Sequence, residues 1–364
     1  MLEVVLWTAY GIMGGILAAN VRYLNRRRGL RGTFPADRLV SILIPARNEE
    51  RNLTRLLPTI LDQVGVHFEV IVYDDDSNDG TARVVADYDD ARVRLIRGSG
   101  PPAGWVGKVH ALYQASRIAR GQTLLFLDAD TAFKHPAALA EMLGRFAALP
   151  PRAVLTGLLD FRGGGRILVS AIPHALLLSL PLPLIGRIRT RFLGALNGQC
   201  WMTTAALYRE WEPHRTHPDE VLEDIRIGQY FAAHGIATHF APLNRDLEVW
   251  MYRDFSAAWR GFLKNTYPLM GGRPIPFLGF NLWFAFCWVA APWLAWPFLV
   301  PMYLTKLAAD RVAGLPLHLS AFAPLTFLLT WFLQLHSAFC HLSGRVQWKG
   351  RNVASARPKL ASPR

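Results

Sequence analysis

Four long stretches without a charged side chain constrain this chain more than any other feature of its sequence. They contain no Asp, Glu, Lys or Arg, and they are residues 4–21, 167–186, 274–305 and 312–344. An apolar segment of about 18 or more residues is long enough to cross the hydrocarbon core of a bilayer as a helix. The 51% hydrophobic content is therefore concentrated where membrane helices can form.

Three of these stretches predict transmembrane helices, at residues 1–22, 277–303 and 319–341. The first starts at Met1 without a basic region or a small-residue cleavage signal, which favours a retained anchor over a cleaved signal peptide. We expect a short loop between the second and third helices, on the outer side of the membrane.

The fourth stretch, residues 167–186, is interrupted by Pro173, Pro181 and Pro183. A crossing here would place the polar segments before and after it on opposite sides of the membrane. We therefore expect residues 167–186 to lie in the interface, along the surface of the bilayer.

The net charge of +13 fits this topology better than it fits nucleic-acid binding. The chain has no zinc-finger spacing, no aromatic RNA-binding strand and no single basic helix, so we expect no nucleic-acid partner. Basic residues instead follow the first and last apolar runs: Arg22, Arg26, Arg27, Arg28 and Arg31, then Arg345, Lys349, Arg351, Arg357 and Lys359. The positive-inside rule predicts a multi-pass protein of the cell membrane, with a cytoplasmic domain and a basic cytoplasmic tail at 345–364.

Between the first two predicted spans, short apolar strands alternate with helical segments. The strands are residues 39–44, 68–73, 93–97 and 123–127, and the pattern predicts an α/β domain with a mostly parallel sheet over residues 38–270. Ligands bind such sheets beyond the carboxyl ends of the strands. Polar clusters follow three of the strands there, as PARNEE (45–50), DDDSNDGT (74–81) and DAD (128–130).

Asp128 and Asp130 stand two residues apart after a buried strand, where their oxygens could meet a divalent cation and a diphosphate. Such a pair alone is more often merely solvated, but the neighbouring clusters favour function. Asp75 could accept a hydrogen bond from a base, although the acids of its segment could also only cap the next helix. Lys108 follows Gly107 at a helix start, where phosphate oxygens can bind.

In the second half, Glu223 and Asp224 begin a helix. A carboxylate there could take the proton of an attacking hydroxyl, or could only complement the helix dipole. Arg253, Arg260 and Lys264 precede the second span, and could equally hold phosphate or anchor the chain at the headgroup level.

Taken in order, PARNEE, DDDSNDG, GWVGK (104–108), DAD, NGQ (197–199) and LED (222–224) resemble glycosyltransferase family 2, which has the GT-A fold. With DFRGGG (160–165) and the terminal spans, the chain is most similar to carotenoid (diaponeurosporenoate-type) and hopene-associated glycosyltransferases. The resemblance implies a hexosyltransferase that uses a nucleotide-sugar donor, with a UDP-sugar expected, and Mg²⁺ or Mn²⁺.

The resemblance also implies a role for each matching position. Asp130 would bind the metal, Asp128 would contact ribose or metal, and Asp224 would be the catalytic base. Lys108 would sit near the donor. The nucleoside would be held by Pro45, Asn48, Glu49 and Asp75, and the acceptor would be bordered by Gln199 and Trp201.

One departure concerns polymer synthesis. Processive members carry Q/R-x-x-R-W before the second membrane region, and YRDFSAAWRGF (252–262) does not match it. We therefore expect inverting, non-processive transfer of one sugar to a membrane lipid such as a carotenoid or hopanoid. The alternatives are a polyprenyl-phosphate sugar transferase and a catalytically silent nucleotide-sugar-binding scaffold.

Overall fold

The computed structural model describes residues 1–348 and 351–352. Of the predicted basic tail, Lys349, Arg357 and Lys359 lie outside the described residues. Strands β1 to β10 are Leu39–Ala46, His67–Asp75, Val93–Gly98, Thr123–Leu127, Thr131–Phe133, Ala153–Leu158, Asp160–Gly163, Cys200–Thr204, Ala237–Pro242 and Leu247–Tyr252. Two short strands near the end of the described chain, β11 (Gln347–Trp348) and β12 (Arg351–Asn352), pair with each other.

The central sheet has the order β3-β2-β1-β4-β8-β6-β9 within the described residues. All its pairs are parallel except those of β8, which runs antiparallel to β4 and β6. This is the mostly parallel α/β fold that the sequence predicts, and the first four strands lie where the apolar runs placed them. The sheet is buried on both faces, which is why these strands are apolar at nearly every position rather than at alternate ones.

Helices cover both faces of the sheet, and further helices form the apolar part of the protein. In chain order α1 to α15 are Leu2–Arg28, Glu50–Leu61, Thr81–Ala86, Gly107–Ile118, Ala138–Ala147, Arg166–Val169, Ala171–Ser179, Ala205–Trp211, Pro213–Thr216, Glu223–Ala233, Phe255–Leu269, Pro274–Ala285, Ala291–Leu294, Leu299–Ala313 and Ala323–Leu342. In β1, Ile42 and Ile44 pack into one core while Leu43 packs into the core on the opposite face. Successive side chains of a strand point to opposite faces, so each face receives its own helices.

A second, three-stranded sheet of order β5-β10-β7 lies beyond β4. The backbone N–H of Trp250 in β10 donates to the carbonyl oxygen of Asp130 at 2.7 Å. This sheet therefore fixes the turn that carries Asp128 and Asp130 directly after β4.

Among the described residues, three helical segments are long and apolar enough to cross a membrane: Leu2–Arg28, Pro274–Leu294 and Leu317–Leu342. The fourth uncharged stretch instead contributes to a shorter apolar helical segment, Arg166–Ser179, which contains α6 and α7. At 1.5 Å per residue, a helix of that length is too short to cross a bilayer. Asn20 of α1 holds the end of α7, because its amide nitrogen donates to the carbonyl oxygens of Leu177 and Leu180, both at 2.8 Å.

The segment 277–303, predicted as one span, is divided in the structure. A π-helical turn joins α12 to α13, the helix ends at Leu294, and Ala295 is extended. Pro297 explains the break, since its ring has no N–H to donate and collides with the preceding turn of a helix. The candidate span is accordingly Pro274–Leu294.

The predicted short outer loop is also replaced, by the fifteen-residue α14. Lys306 and Asp310 in this helix are completely buried and form an ion pair at 2.7 Å, and Ser320 donates to Asp310 at 2.8 Å. The end of α14 reaches the α/β domain, where the Asn244 amide donates to the carbonyl oxygen of Val312 at 3.1 Å. This connection therefore packs against the protein and does not project from it.

The buried pair predicts a stability effect. Lys306→Met leaves the Asp310 carboxylate buried without its cation, and removal of one partner of such a pair costs about 3–5 kcal/mol. We expect a clear fall in the melting temperature of the detergent-purified protein, measured by intrinsic fluorescence. In the double variant Lys306→Met/Asp310→Asn no charge is left uncompensated, so most of the loss should be recovered; equal melting of the two variants would contradict this account.

Candidate active site

The polar clusters meet at the carboxyl ends of β1, β2 and β4. These strands are adjacent in the sheet order, so the loops after them lie side by side. Together they line one end of a cavity of about 1560 Å³. The predicted site residues that line it are Pro45, Glu49, Asp75, Lys108, Asp128, Asp130, Gln199 and Asp224.

Asp75 is the last residue of β2 and is 3% exposed. Arg47, two residues after Pro45, donates to the carbonyl oxygen of Asp75 at 2.9 Å and lies 3.8 Å from its carboxylate. Both side chains line the cavity. The sequence analysis overlooked Arg47, although its position inside PARNEE beside two other predicted residues was a signal that could have found it.

Asn48 connects two loops at this end of the sheet and does not line the cavity. It adopts a left-handed conformation with φ of 53°. Its backbone N–H donates to Ser77 Oγ, and its side-chain oxygen accepts from the N–H of Asn78, both at 2.9 Å. Asn48 is exposed and is not among the cavity-lining residues, so it joins the loops after β1 and β2.

The sequence left two roles open for the acidic segment 74–81, which were contact with a base and stabilisation of the turn before α3. Asp74 accepts from the N–H of Ser77 at 3.1 Å, and Asp79 accepts from the N–H of Thr81 at the start of α3 at 3.0 Å. These two acids stabilise the turn, whereas Asp75 faces the cavity. Turn stabilisation therefore explains Asp74 and Asp79, and the position of Asp75 at the cavity would suit contact with a ligand.

Lys108 stands at the centre of the site. Its Nζ lies 2.8 Å from Asp128 and 2.9 Å from Glu223, and it donates to the carbonyl oxygen of Gly198 at 3.3 Å. Burial alone lowers the pKa of Lys108, but the carboxylates of Asp128 and Glu223 more than offset this and raise it. Lys108 is therefore a fixed cation that joins α4, the end of β4 and the start of α10.

Asp130 faces the cavity from the turn after β4. It acts electrostatically on Arg55 and on Tyr252, whose pKa is raised first by burial and then by this carboxylate. Among the described residues, no three His, Cys, Asp or Glu side chains converge into a complete metal-ligand set. Mg²⁺ is commonly held by one or two carboxylates and substrate phosphates, and Asp130 with Asp128 fits that pattern.

Asp224 lies in the first turn of α10, opposite Lys108. Its oxygens accept from the N–H groups of Gly198 at 3.0 Å and of Ile225 at 2.8 Å. Burial and the adjacent Glu223 raise the pKa of Asp224 to about 6, against the lowering effect of Lys108 and of these N–H groups. Gly198 must remain a glycine for this approach, because a Cβ there would lie 2.9 Å from the Asp224 side chain.

The two predicted acceptor residues have different positions. Gln199 lines the cavity, whereas Trp201 is 2% exposed and stacks on Phe126 with ring centroids 4.0 Å apart. Cys200 and Trp201 of β8 point into opposite cores, as strand geometry requires. Trp201 is therefore a core residue, and the prediction that it borders the acceptor does not agree with its position in the structure.

The cavity continues from these polar residues into an apolar groove. Its walls come from α7, from α11 and α12 and from α15, and they include Leu176, Phe262, Phe284, Trp288, Phe327, Thr330 and Leu333. Helix α15 is held against α11 by Ser337, whose hydroxyl donates to the carbonyl oxygen of Leu263 at 2.6 Å. A ligand with one polar end and a long apolar body would match this shape.

The three cations before the second candidate span do not converge on this groove. Lys264 lines the cavity. Arg253 instead pairs with Asp254 at 2.9 Å, and Arg260 donates to Ser256 at 2.6 Å, both at the surface. Only one of the three is therefore placed to meet a ligand in the cavity.

Comparisons with known proteins agree with this geometry. Residues 41–211 match the model of glycosyl transferase family 2. The 4,4'-diaponeurosporenoate glycosyltransferase of Staphylococcus haemolyticus is 32% identical over 41% of this chain and 39% of its own length. The enzyme of the same name from Staphylococcus aureus (strain USA300) is 32% identical over 38% of this chain and 37% of its own length. The match thus spans about two fifths of these relatives.

Among solved structures, the mannosyltransferase PcManGT from Pyrobaculum calidifontis, in complex with GDP-mannose and Mn²⁺, has a similar fold. The TM-score is 0.55 at 19% identity, and the alignment covers 94% of this chain and 99% of that one. The predicted resemblance to family 2 and the predicted GT-A fold are therefore confirmed.

The raised pKa of Asp224 predicts a pH-dependent stability effect. The folded protein holds this proton more tightly than the unfolded chain, whose carboxyl has its ordinary pKa of 3.8. The charged form therefore destabilises the fold above pH about 6, by on the order of 3 kcal/mol, and the cost vanishes as the pH falls toward 4. We expect Asp224→Asn to raise the melting temperature at pH 7.5.

The gain in melting temperature from Asp224→Asn should shrink as the pH is lowered from 7 to 4.5. At the lower pH the folded wild type is protonated at Asp224, so wild type and variant are both neutral at this position. Asp89→Asn, at an exposed carboxyl, is the matched control and should leave melting unchanged at either pH. A gain that does not depend on pH would show that the carboxylate charge is not the cause.

Proposed function

We propose that this protein transfers one hexosyl group from a nucleotide-sugar, UDP-linked, to an amphiphilic membrane lipid such as a carotenoid or hopanoid, with inversion. The observation that carries the proposal is the single cavity that joins the Lys108 and Asp224 cluster to the apolar groove. The polar donor could bind at the polar end of this cavity while the apolar body of a lipid acceptor stays in the groove, so that the two could meet. The names of the staphylococcal relatives support a carotenoid acid as the acceptor.

We propose that the donor occupies the end of the cavity formed by the loops after β1, β2 and β4. Asp75 and Arg47 would face the nucleoside, and Lys108 would lie beside the diphosphate. Asp130, with Asp128, would hold Mg²⁺ or Mn²⁺, which supplies positive charge to the leaving diphosphate. Lys108 is charged before any ligand binds, so it contributes stabilisation to the diphosphate without reorganisation.

Asp224 is the proposed base. A pKa of about 6 leaves it ionised at neutral pH yet able to accept a proton from an attacking hydroxyl. The two N–H groups that bind its oxygens hold it in one orientation. If the acceptor is a carboxylate, which is already ionised near neutral pH, no proton has to be removed from it and Asp224 would matter less.

Two further expectations follow for the arrangement in the membrane. The family 2 domain, residues 38–270, would lie on the cytoplasmic side, since basic residues follow α1 directly. The groove would open to the bilayer between α7, α12 and α15, with residues 167–186 in the interface. Transfer of a single sugar is favoured over polymer synthesis, because the chain lacks the processive signature.

A polyprenyl-phosphate acceptor is disfavoured by the groove, since of Arg253, Arg260 and Lys264 only Lys264 lines the cavity. A catalytically silent scaffold is disfavoured by the cluster of Lys108, Glu223 and Asp224 at the cavity, since several interacting titratable groups in one cleft are typical of catalytic sites.

The first test is release of UDP from UDP-glucose and UDP-N-acetylglucosamine by detergent-purified protein with Mn²⁺ and total membrane lipid. Loss of a general base typically lowers a rate by about 10²–10⁴-fold, so we expect the Asp224→Asn variant to release UDP more slowly by that factor with a hydroxyl acceptor. Asp130→Asn should lose metal-dependent release. Asp89→Asn serves as the control, and release that neither active-site substitution changes would refute the mechanism.

A second test addresses the groove. Thr330→Trp places an indole in the apolar half of the cavity, far from the donor residues, so we expect sugar-labelled lipid to fall at least about tenfold. Donor hydrolysis without acceptor should be unchanged. Leu335→Trp, on the exposed face of the same helix, is the matched control. Equal transfer by both variants would mean that the acceptor lies elsewhere.

A further inference from the structure

Residues 184–193, here named the arginine loop, form an exposed basic and apolar segment between α7 and β8. Arg187, Arg189 and Arg191 are exposed. Next to them in the sequence, Ile188 is 48% exposed and Phe192 is 78% exposed. Large apolar side chains left in water beside cations are typical of a surface that meets another phase.

The protein does not neutralise these arginines itself. Across residues 1–348, none of the three forms an ion pair with a carboxylate, whereas Arg226 on the neighbouring α10 pairs with Glu220. The guanidinium of Arg191 lies 5.2 Å above the ring of Phe192. A partner complementary to this surface would carry negative charge and also accept apolar side chains.

The position of the arginine loop points to that partner. Leu182, two residues before the loop, donates its backbone N–H to Asn20 of α1 at 2.8 Å, and Arg27 in the last turn of α1 stacks on Tyr23 at 4.8 Å. Gly186 packs directly on Ala237 of β9, which fixes the loop to the domain. The loop thus lies beside the basic end of the first candidate span, where that helix would leave the bilayer.

We infer that the arginine loop docks on the headgroup layer of an anionic bilayer. Its guanidinium groups would bind lipid phosphates, and Ile188 and Phe192 would enter the interface. This binding surface does not depend on the transfer reaction, and it lies outside the cavity.

Docking at this place would also orient the catalytic residues. The loop continues directly into Asn197, Gly198 and Gln199. At its end, Gly194 packs so closely on α10 that a Cβ would lie 2.3 Å from the carbonyl oxygen of Gly228. Contact with headgroups would therefore hold the start of α10, and with it Asp224, at a fixed height above the bilayer.

The test measures how deeply the loop lies in nanodiscs. In a Cys340→Ser background, in which Cys200 and Cys287 are buried, Phe192→Cys is labelled with an environment-sensitive fluorophore. Ala86→Cys, at an exposed position near the far edge of the sheet, is the control label. With phosphatidylcholine and phosphatidylglycerol, acrylamide quenching at position 192 should be about fivefold weaker than at position 86.

The arginines are then changed together. Arg187→Gln/Arg189→Gln/Arg191→Gln should restore quenching at position 192 by about threefold or more, and so should pure phosphatidylcholine, because both remove the charge attraction. The corresponding triple Lys variant keeps the charge and should remain protected. Equal quenching at positions 192 and 86 would overturn the docking surface, and protection that ignores charge would overturn its assignment to anionic lipid. Circular dichroism confirms that each variant is folded.

Discussion

The contact of Lys108 with Asp128 and Glu223 joins parts of the chain that are far apart in sequence. It connects the first turn of α4, the end of β4 and the first turn of α10 within 2.9 Å. Without a cation here, the carboxylates of Asp128, Glu223 and Asp224 would face one another in a buried cavity, which is costly in free energy. Lys108 is therefore the cation that balances the carboxylates where the two halves of the α/β domain meet.

The same cluster explains why the site can be both stable and reactive. Lys108 offsets the charge of its neighbours, yet Asp224 keeps a pKa near 6 because burial and Glu223 outweigh that cation. The backbone supports this balance, since Gly198 supplies both the N–H that binds Asp224 and the carbonyl that binds Lys108. Buried charges of this kind reduce the stability of a fold and are retained where chemistry requires them.

The apolar helices complete the cavity and do more than attach the domain to a surface. Three side chains hold these helices by donating to backbone carbonyl groups. Ser337 of α15 donates to Leu263 of α11, Asn244 of the α/β domain donates to Val312 of α14, and Asn20 of α1 donates to Leu177 of α7. Buried polar groups must find such partners, so these contacts fix where the helices lie. The groove for an apolar ligand exists only because the helices are held in this way.

The sequence by itself determined the first four strands, the three candidate spans and the acids at the strand ends. These features depend on local hydrophobic pattern and on turn residues, which a chain carries wherever it folds. Tertiary structure decided the rest. Trp201 enters the core because of the face it takes in β8, Glu223 pairs with Lys108 because two distant helices begin at the same place, and α14 returns to the domain through a buried ion pair. Such pairings form through space between residues distant along the chain, and no periodicity or spacing records which partner a side chain will meet.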